Sequence, residues 1–121
     1  MSRDALIAVI EDDPALRRSI VDLVESLGYR AAGHPSADAF LASGDLVADC
    51  VITDIQMPGL SGIDLKRRLV EMGRTVPVIM VTARQDPALL QRAREAGPAG
   101  LLQKPFTAEA LIDCLQAALA L

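Results

Sequence analysis

The sequence predicts an α/β domain: a five-stranded parallel sheet with helices on both faces. Three observations lead there. Short apolar runs alternate with longer segments of helical spacing, five times over. The strongest runs, "ALIAVI" (5–10), "DCVIT" (49–53) and "VPVIMV" (76–81), are continuous rather than alternating, as expected of strands covered on both sides. No stretch of the 121 residues reads as a linker, a low-complexity tract or a second domain, so residues 1–121 are expected to form one unit with a core of its own.

The elements follow in order. Strand 1 (5–10) runs into the acids Glu11, Asp12 and Asp13. Asp13 suits an N-cap and Pro14 the first helical position, and Gly28 ends the helix. Between them Leu16, Ile20, Leu23, Val24 and Leu27 form one apolar stripe. "YRAAG" (29–33) is a weaker strand, with His34 and Pro35 in the loop after it. Ser36 caps a short helix carrying Phe40 and Leu41. Strand 3 (49–53) is followed by Asp54 and a Met-Pro-Gly turn, then by Ser61 and Asp64 in the form of a capping box opening "GIDLKRRLVEMG". After strand 4 (76–81), Asp86-Pro87 repeats the cap-plus-proline signal before "ALLQRAREAG". "AGLLQ" (99–103) is the second weak strand, and Thr107 caps "AEALIDCLQAALAL".

Composition narrows the function classes. With 51% hydrophobic and 23% charged residues the chain folds rather than staying disordered. A net charge of −4, with only short clusters at Arg17-Arg18 and Lys66-Arg67-Arg68, argues against direct nucleic-acid binding by this domain. Cys50 and Cys114 sit in unrelated apolar segments, in no metal-ligand or CxxC spacing, and read as reduced packing thiols. The N-terminal apolar run is short and ends in acids, unlike a secretory leader, and no segment reaches the length of a membrane span. A cytoplasmic location with no membrane contact is the expectation.

In open α/β sheets ligands bind outside the carboxyl ends of the strands. The residues there are Glu11, Asp12 and Asp13 after strand 1, Asp54 after strand 3, Thr82 after strand 4, and Lys104, followed by Pro105, after strand 5. Clustered carboxylates repel and resist ionising. A hard divalent cation resolves the conflict, because Mg²⁺ takes oxygen ligands and binds through a few carboxylates plus a phosphate. Lys104 adds a point positive charge and Thr82 a hydroxyl donor. Such a set suits phosphoryl transfer. No serine or cysteine lies at these strand ends, so the nucleophile would be a carboxylate, giving an aspartyl phosphate. Asp13 reads as the helix cap, and His34 as a residue without a catalytic role.

Over essentially its whole length the sequence resembles a two-component response regulator receiver domain. The pieces that carry the resemblance are "VIEDDPALRR", "VITDIQMPGLSGIDL", "VPVIMVTA" and "LLQKPF". It implies a flavodoxin-like, doubly wound sheet in the order 2-1-3-4-5 with five helices. It also implies Asp54 as phosphoacceptor, Glu11 and Asp12 as the acidic pair holding Mg²⁺ (Mn²⁺ as substitute), and Gln56 as supplier of a backbone carbonyl to the metal. Thr82 matches the switch hydroxyl, Lys104 the phosphoryl-contacting lysine, and Pro105 a cis-proline. The donor implied is a sensor histidine kinase or phosphotransfer protein, with acetyl phosphate as a small substitute. The "SADAFLA" and "MPGLSG" segments resemble receivers joined to LuxR-type helix-turn-helix regulators; whether this chain stands alone or precedes such an effector is left open.

Two positions depart from the family pattern. Leu101 stands where a Phe or Tyr is usual, so the switch lacks a ring. Pro98 stands before strand 5, where a small residue is more common. Gln56 and Arg84, two residues beyond Asp54 and Thr82, are expected to screen attacking water and lengthen the phosphorylated state beyond seconds. In the last helix the polar stripe Glu109, Asp113 and Gln116 is narrow, which leaves apolar surface for a second copy or an effector domain. Turnover catalysis is not expected, only self-catalysed phosphorylation and slow loss. Two alternatives stand beside this reading. One is a degenerate receiver that binds partners without phosphorylation. The other is a phosphatase of the haloacid dehalogenase kind, which would need an aspartate where Gln56 stands.

Overall fold

The structure, a computed structural model, describes residues 5–43 and 47–120. Residues 1–4 of the segment read against a leader, and Leu121 at the end of the last expected helix, lie outside them. The element order is β1 (Leu6–Ile10), α1 (Pro14–Ser26), β2 (Arg30–His34), α2 (Ala37–Ala42), β3 (Cys50–Asp54), α3 (Gly62–Glu71), β4 (Val78–Thr82), α4 (Pro87–Glu95), β5 (Gly100–Gln103) and α5 (Ala108–Leu119). All strand pairs are parallel, in the order β2-β1-β3-β4-β5. This is the doubly wound sheet expected, and its topological switch point falls between β1 and β3.

Side-chain alternation along the strands divides the core between two faces. Ala8, Ile10, Val51, Val78 and Met80 point to one side, where Phe40, Leu65, Leu69, Leu89 and Ala93 of α2, α3 and α4 cover them. Ile7, Val9, Cys50, Ile52, Ile79 and Val81 point to the other, under Ile20 and Val24 of α1 and Leu111 and Leu115 of α5. The central strands β3 and β4 are buried at every position. Each such Val, Ile or Leu contributes roughly 1.5–3 kcal/mol. The sheet is therefore a stiff base for whatever its carboxyl edge carries.

The caps form as the sequence indicates. The side chains of Asp13, Ser36, Ser61, Asp86 and Thr107 accept from the amides of Ala15, Ala39, Asp64, Ala88 and Ala110. At Ser61 only half of the expected box is seen: Asp64 is short for the return bond, and its carboxylate meets Arg67 at 3.4 Å instead. Gly28 follows α1 at φ 96, the left-handed turn a glycine permits. His34 belongs to the end of β2 rather than to a loop, because its neighbour Ile10 continues the ladder to that point. There His34 is buried edge-on to Phe40, with ring centroids 5.3 Å apart. Asp54 and Thr82 are the last residues of their strands rather than the first beyond them.

Candidate functional site

Parallel pairing sends the ends of β1, β3, β4 and β5 to one edge, and a polar cluster forms there inside an otherwise apolar sheet. Glu11 directly follows β1 and is only 2% exposed; Asp54 ends β3 at 8%. Asp12 is exposed beside them. One carboxylate oxygen from each of the three lies within 4.8 Å of the others. Lys104 enters from β5, 93 residues away in sequence from Glu11, and its Nζ donates to Glu11 Oε1 at 2.9 Å and to Asp54 Oδ2 at 3.3 Å.

The backbone fixes these groups. The Lys104 amide donates to the Thr82 carbonyl at 2.8 Å, which latches the lysine to the end of β4. The Ile55 amide donates to the Val81 carbonyl at 2.9 Å, which sets Asp54 level with β4. Gly62, the first residue of α3, donates to the Ile55 carbonyl at 2.8 Å. A Cβ at Gly62 would stand 2.6 Å from the Asp54 carbonyl oxygen, so the absence of a side chain there lets α3 start against the strand end. The Thr82 hydroxyl is buried and accepts from the Arg84 amide at 3.0 Å. The Lys104–Pro105 peptide is cis, as the resemblance implies.

Burial drives the electrostatics. It holds the Asp54 carboxyl above its ordinary pKa; the charge of Lys104 and its hydrogen bond offset part of this, and Asp12 adds to it. Glu11 is also raised, first by burial, with the Asp13 amide and Lys104 pulling down and the charge of Asp54 and a side-chain hydrogen bond with Asp12 pushing up. Burial works against the Lys104 charge, but the bond to Glu11 and the charges of Asp54 and Glu11 outweigh it and raise that pKa. Two buried acids sharing one ammonium, with a third acid beside them, form a site short of positive charge. All the acids' donors are hard oxygens, so the set fits a small hard cation such as Mg²⁺.

The edge thus assembles Glu11, Asp12, Asp54 and Lys104, with Thr82 next to them by register. Gln56 lies two residues past Asp54 with an exposed side chain, and Arg84 is exposed beyond Thr82. Leu101, the departure from the usual aromatic, is half-buried and packs on the α2–α4 face of the core. Met57 and Met80 pack against that same core, whereas Met72 is exposed. Two supports escaped the sequence reading. Gly62 could have been suspected as a glycine opening a helix; Arg17, whose Nη1 donates to the Glu11 carbonyl at 2.8 Å, carried no signal of its own.

The response regulator receiver domain model matches residues 7–116, and the chain belongs to that family. It is therefore a receiver domain of the two-component type, a signalling rather than a catalytic family. Its similarity extends to the transcriptional regulatory protein FixJ of Azorhizobium caulinodans, 41% identical over 92% of this chain and 53% of that protein. The response regulator protein TmoT of Ectopseudomonas mendocina is 35% identical over 98% of this chain and 54% of its own length. The chain thus spans about half the length of the curated relatives it matches. Among solved structures, a response regulator receiver protein from Burkholderia phymatum superposes with a TM-score of 0.83 at 38% identity, covering 98% of this chain and 97% of that one. The crystal structure of FixJ-N superposes with a TM-score of 0.87 at 29% identity, covering 98% of this chain and 94% of that one. Among the described residues no helix is long and apolar enough to cross a membrane.

Proposed function

We propose that this receiver takes a phosphoryl group on Asp54 and passes the resulting change to an output partner. The observation that carries the reading is the shared contact of Lys104 Nζ with Glu11 and Asp54 inside the three-acid cluster. Glu11, Asp12 and Asp54, with the Gln56 backbone carbonyl, would hold Mg²⁺ or Mn²⁺, which when bound neutralises the acids and the incoming phosphoryl oxygens. An oxygen of Asp54 then attacks phosphorus. The donor's P–N or P–O bond breaks, the electron pair leaves with the imidazole or acetate, and Asp54 keeps an acyl phosphate. Lys104 turns from the carboxylates to a phosphoryl oxygen, and the Thr82 hydroxyl exchanges its acceptor role toward the Arg84 amide for donation to another. The phosphoryl group binds the rearranged state better than the resting one, which is what shifts the population.

The donor is a histidine kinase or phosphotransfer protein. An apolar cleft of about 570 Å³ supports this, since Leu16, Ile20, Leu23, Pro105 and Phe106 line it up to Lys104 and offer a seat next to the acceptor. Output runs to a second copy or to an effector domain through the C-terminal half. The long side chains of Gln56 and Arg84 restrict water and give a phosphorylated state lasting longer than seconds. Incubation with acetyl phosphate and Mg²⁺, followed by intact mass measurement, tests the assignment. The wild type should gain one phosphoryl group and Asp54→Asn none. An unchanged wild type, or a gain that persists in the variant, refutes it.

A further inference from the structure

Glu11 is held at four points. Its amide donates to the His34 carbonyl at 3.1 Å, its Oε2 accepts from the Asp13 amide at 3.1 Å, and its Oε1 accepts from Lys104 at 2.9 Å. The fourth hold is its carbonyl oxygen, which accepts from Arg17 Nη1 at 2.8 Å. Arg17 also closes the first turn of α1, because its amide donates to the Asp13 carbonyl at 2.9 Å. One residue thus straps both ends of the acidic turn to the helix.

The path of that side chain depends on β2. Arg17 lies across Gly33, where a Cβ would stand 3.2 Å from its Cγ, 3.3 Å from its Cδ and 3.4 Å from Val21 Cγ2. A bare backbone at this strand position leaves the room the arginine stem occupies. The bonded carbonyl belongs to the peptide joining Glu11 to Asp12. Holding that plane restrains the backbone from which both acids leave the chain, and the exposed Asp12 is tied less tightly than the buried Glu11.

We propose that Arg17 is a positioning residue for the acid pair. By bonding the Glu11 carbonyl across Gly33 it holds Glu11 and Asp12 in place for a divalent cation. The proposal rests on the reading of Glu11, Asp12 and Asp54 as the metal site. Outer supports of this kind typically change metal affinity by about 10- to 100-fold when removed. The sign is diagnostic. Arg17 is a cation near a cation site, so a pure charge effect makes Arg17→Met bind Mg²⁺ more tightly. Loss of positioning makes it bind more weakly.

The test is calorimetric Mg²⁺ titration of the unphosphorylated full chain, with Mn²⁺ paramagnetic resonance as the spectroscopic readout. Arg17→Met should weaken Mg²⁺ by about tenfold. Arg18→Met, exposed one residue on, should be unchanged or slightly tighter. In acetyl phosphate labelling, the Arg17→Met rate should return to the wild-type value at saturating Mg²⁺, moving only the half-saturation point. Should Arg17→Met fail to fold, Gly33→Ala keeps every charge and displaces the stem, and it should weaken Mg²⁺ several-fold. Unchanged or tighter binding in the variant tested, equal weakening in Arg18→Met, or a labelling rate that saturating Mg²⁺ does not restore would each overturn the role of Arg17. A wild type that binds no Mg²⁺ overturns the metal-site reading itself.

Discussion

Removing the shared ammonium by Lys104→Met leaves two buried carboxylates without their counter-charge. Breaking a buried pair from one side costs about 3–5 kcal/mol. Lys104 keeps a fifth of its side chain exposed, which moves the expected loss to the foot of that range or just below it. Protonation sets a ceiling: lifting one carboxyl from its ordinary value to pH 7 costs roughly 3.7 kcal/mol at about 1.36 kcal/mol per unit. A loss of about 2–3 kcal/mol at pH 7 follows. With an unfolding entropy of roughly 0.25 kcal/mol/K for a chain of this size, Tm falls by about 8–12 °C. The sign with pH is fixed. Without Lys104 the folded pKa values of Glu11 and Asp54, already raised, move further above their unfolded values near pH 4. Between those limits the folded state holds the extra proton, so stability falls as pH rises, and the deficit is largest at pH 7 and smallest near pH 4.5. Mg²⁺ supplies the missing charge, so it should restore more than half of the loss and bind the variant more tightly than the wild type. Thermal melts in chelator and in Mg²⁺, at both pH values, decide the matter. A Tm within about 2 °C of wild type in chelator, or a deficit indifferent to both pH and Mg²⁺, would refute the reasoning.

Three further outcomes are expected. Gly62→Ala drives a methyl toward the Asp54 carbonyl oxygen at 2.6 Å and Ile55 Cα at 3.1 Å, so it should cost about 1–3 kcal/mol in denaturant melts and slow acetyl phosphate labelling beyond what the lost stability accounts for. The Cys50 thiol, pushed up to about 12 mainly by burial, should resist iodoacetamide at pH 8 in the native protein and react only on unfolding, whereas rapid native labelling contradicts the packing. Thr82→Ala should still accept a phosphoryl group, because Asp54 and the acids are untouched, but should lose most of the phosphorylation-dependent change in amide NMR shifts of β4 and β5. Equal shift changes in wild type and variant would remove Thr82 from the switch.

Much of the site was legible because strand ends are legible. Asp54 closes an unbroken apolar run, and Lys104 sits between a strand and a proline, so a parallel sheet alone brings them together. The caps at Asp13, Ser36, Asp86 and Thr107 were equally plain, since each is a local bond over two or three residues. What escaped were contacts through space with no local pattern. Arg17 reads in sequence only as half of a short Arg-Arg cluster, because its partner is a carbonyl six residues back and its bed is a glycine on another strand. The sequence pattern ends β2 one residue short, because Pro35 suggests a loop while the ladder to Ile10 carries His34 into the sheet. The motif pairs Asp64 with Ser61, although the aspartate side chain is too short for the glutamate role and turns to Arg67.

The latch between the Lys104 amide and the Thr82 carbonyl gives the domain a grain. The acids are rooted in β1 and β3, deep in the sheet, while the hydroxyl and the ammonium ride on β4 and the margin strand β5. That bond ties the backbones that carry the two groups, so a shift in the chain at one strand end is passed to the other. On the proposed roles of Thr82 and Lys104, a response to charge at Asp54 would begin on the β4–β5 side of the sheet and not at β2.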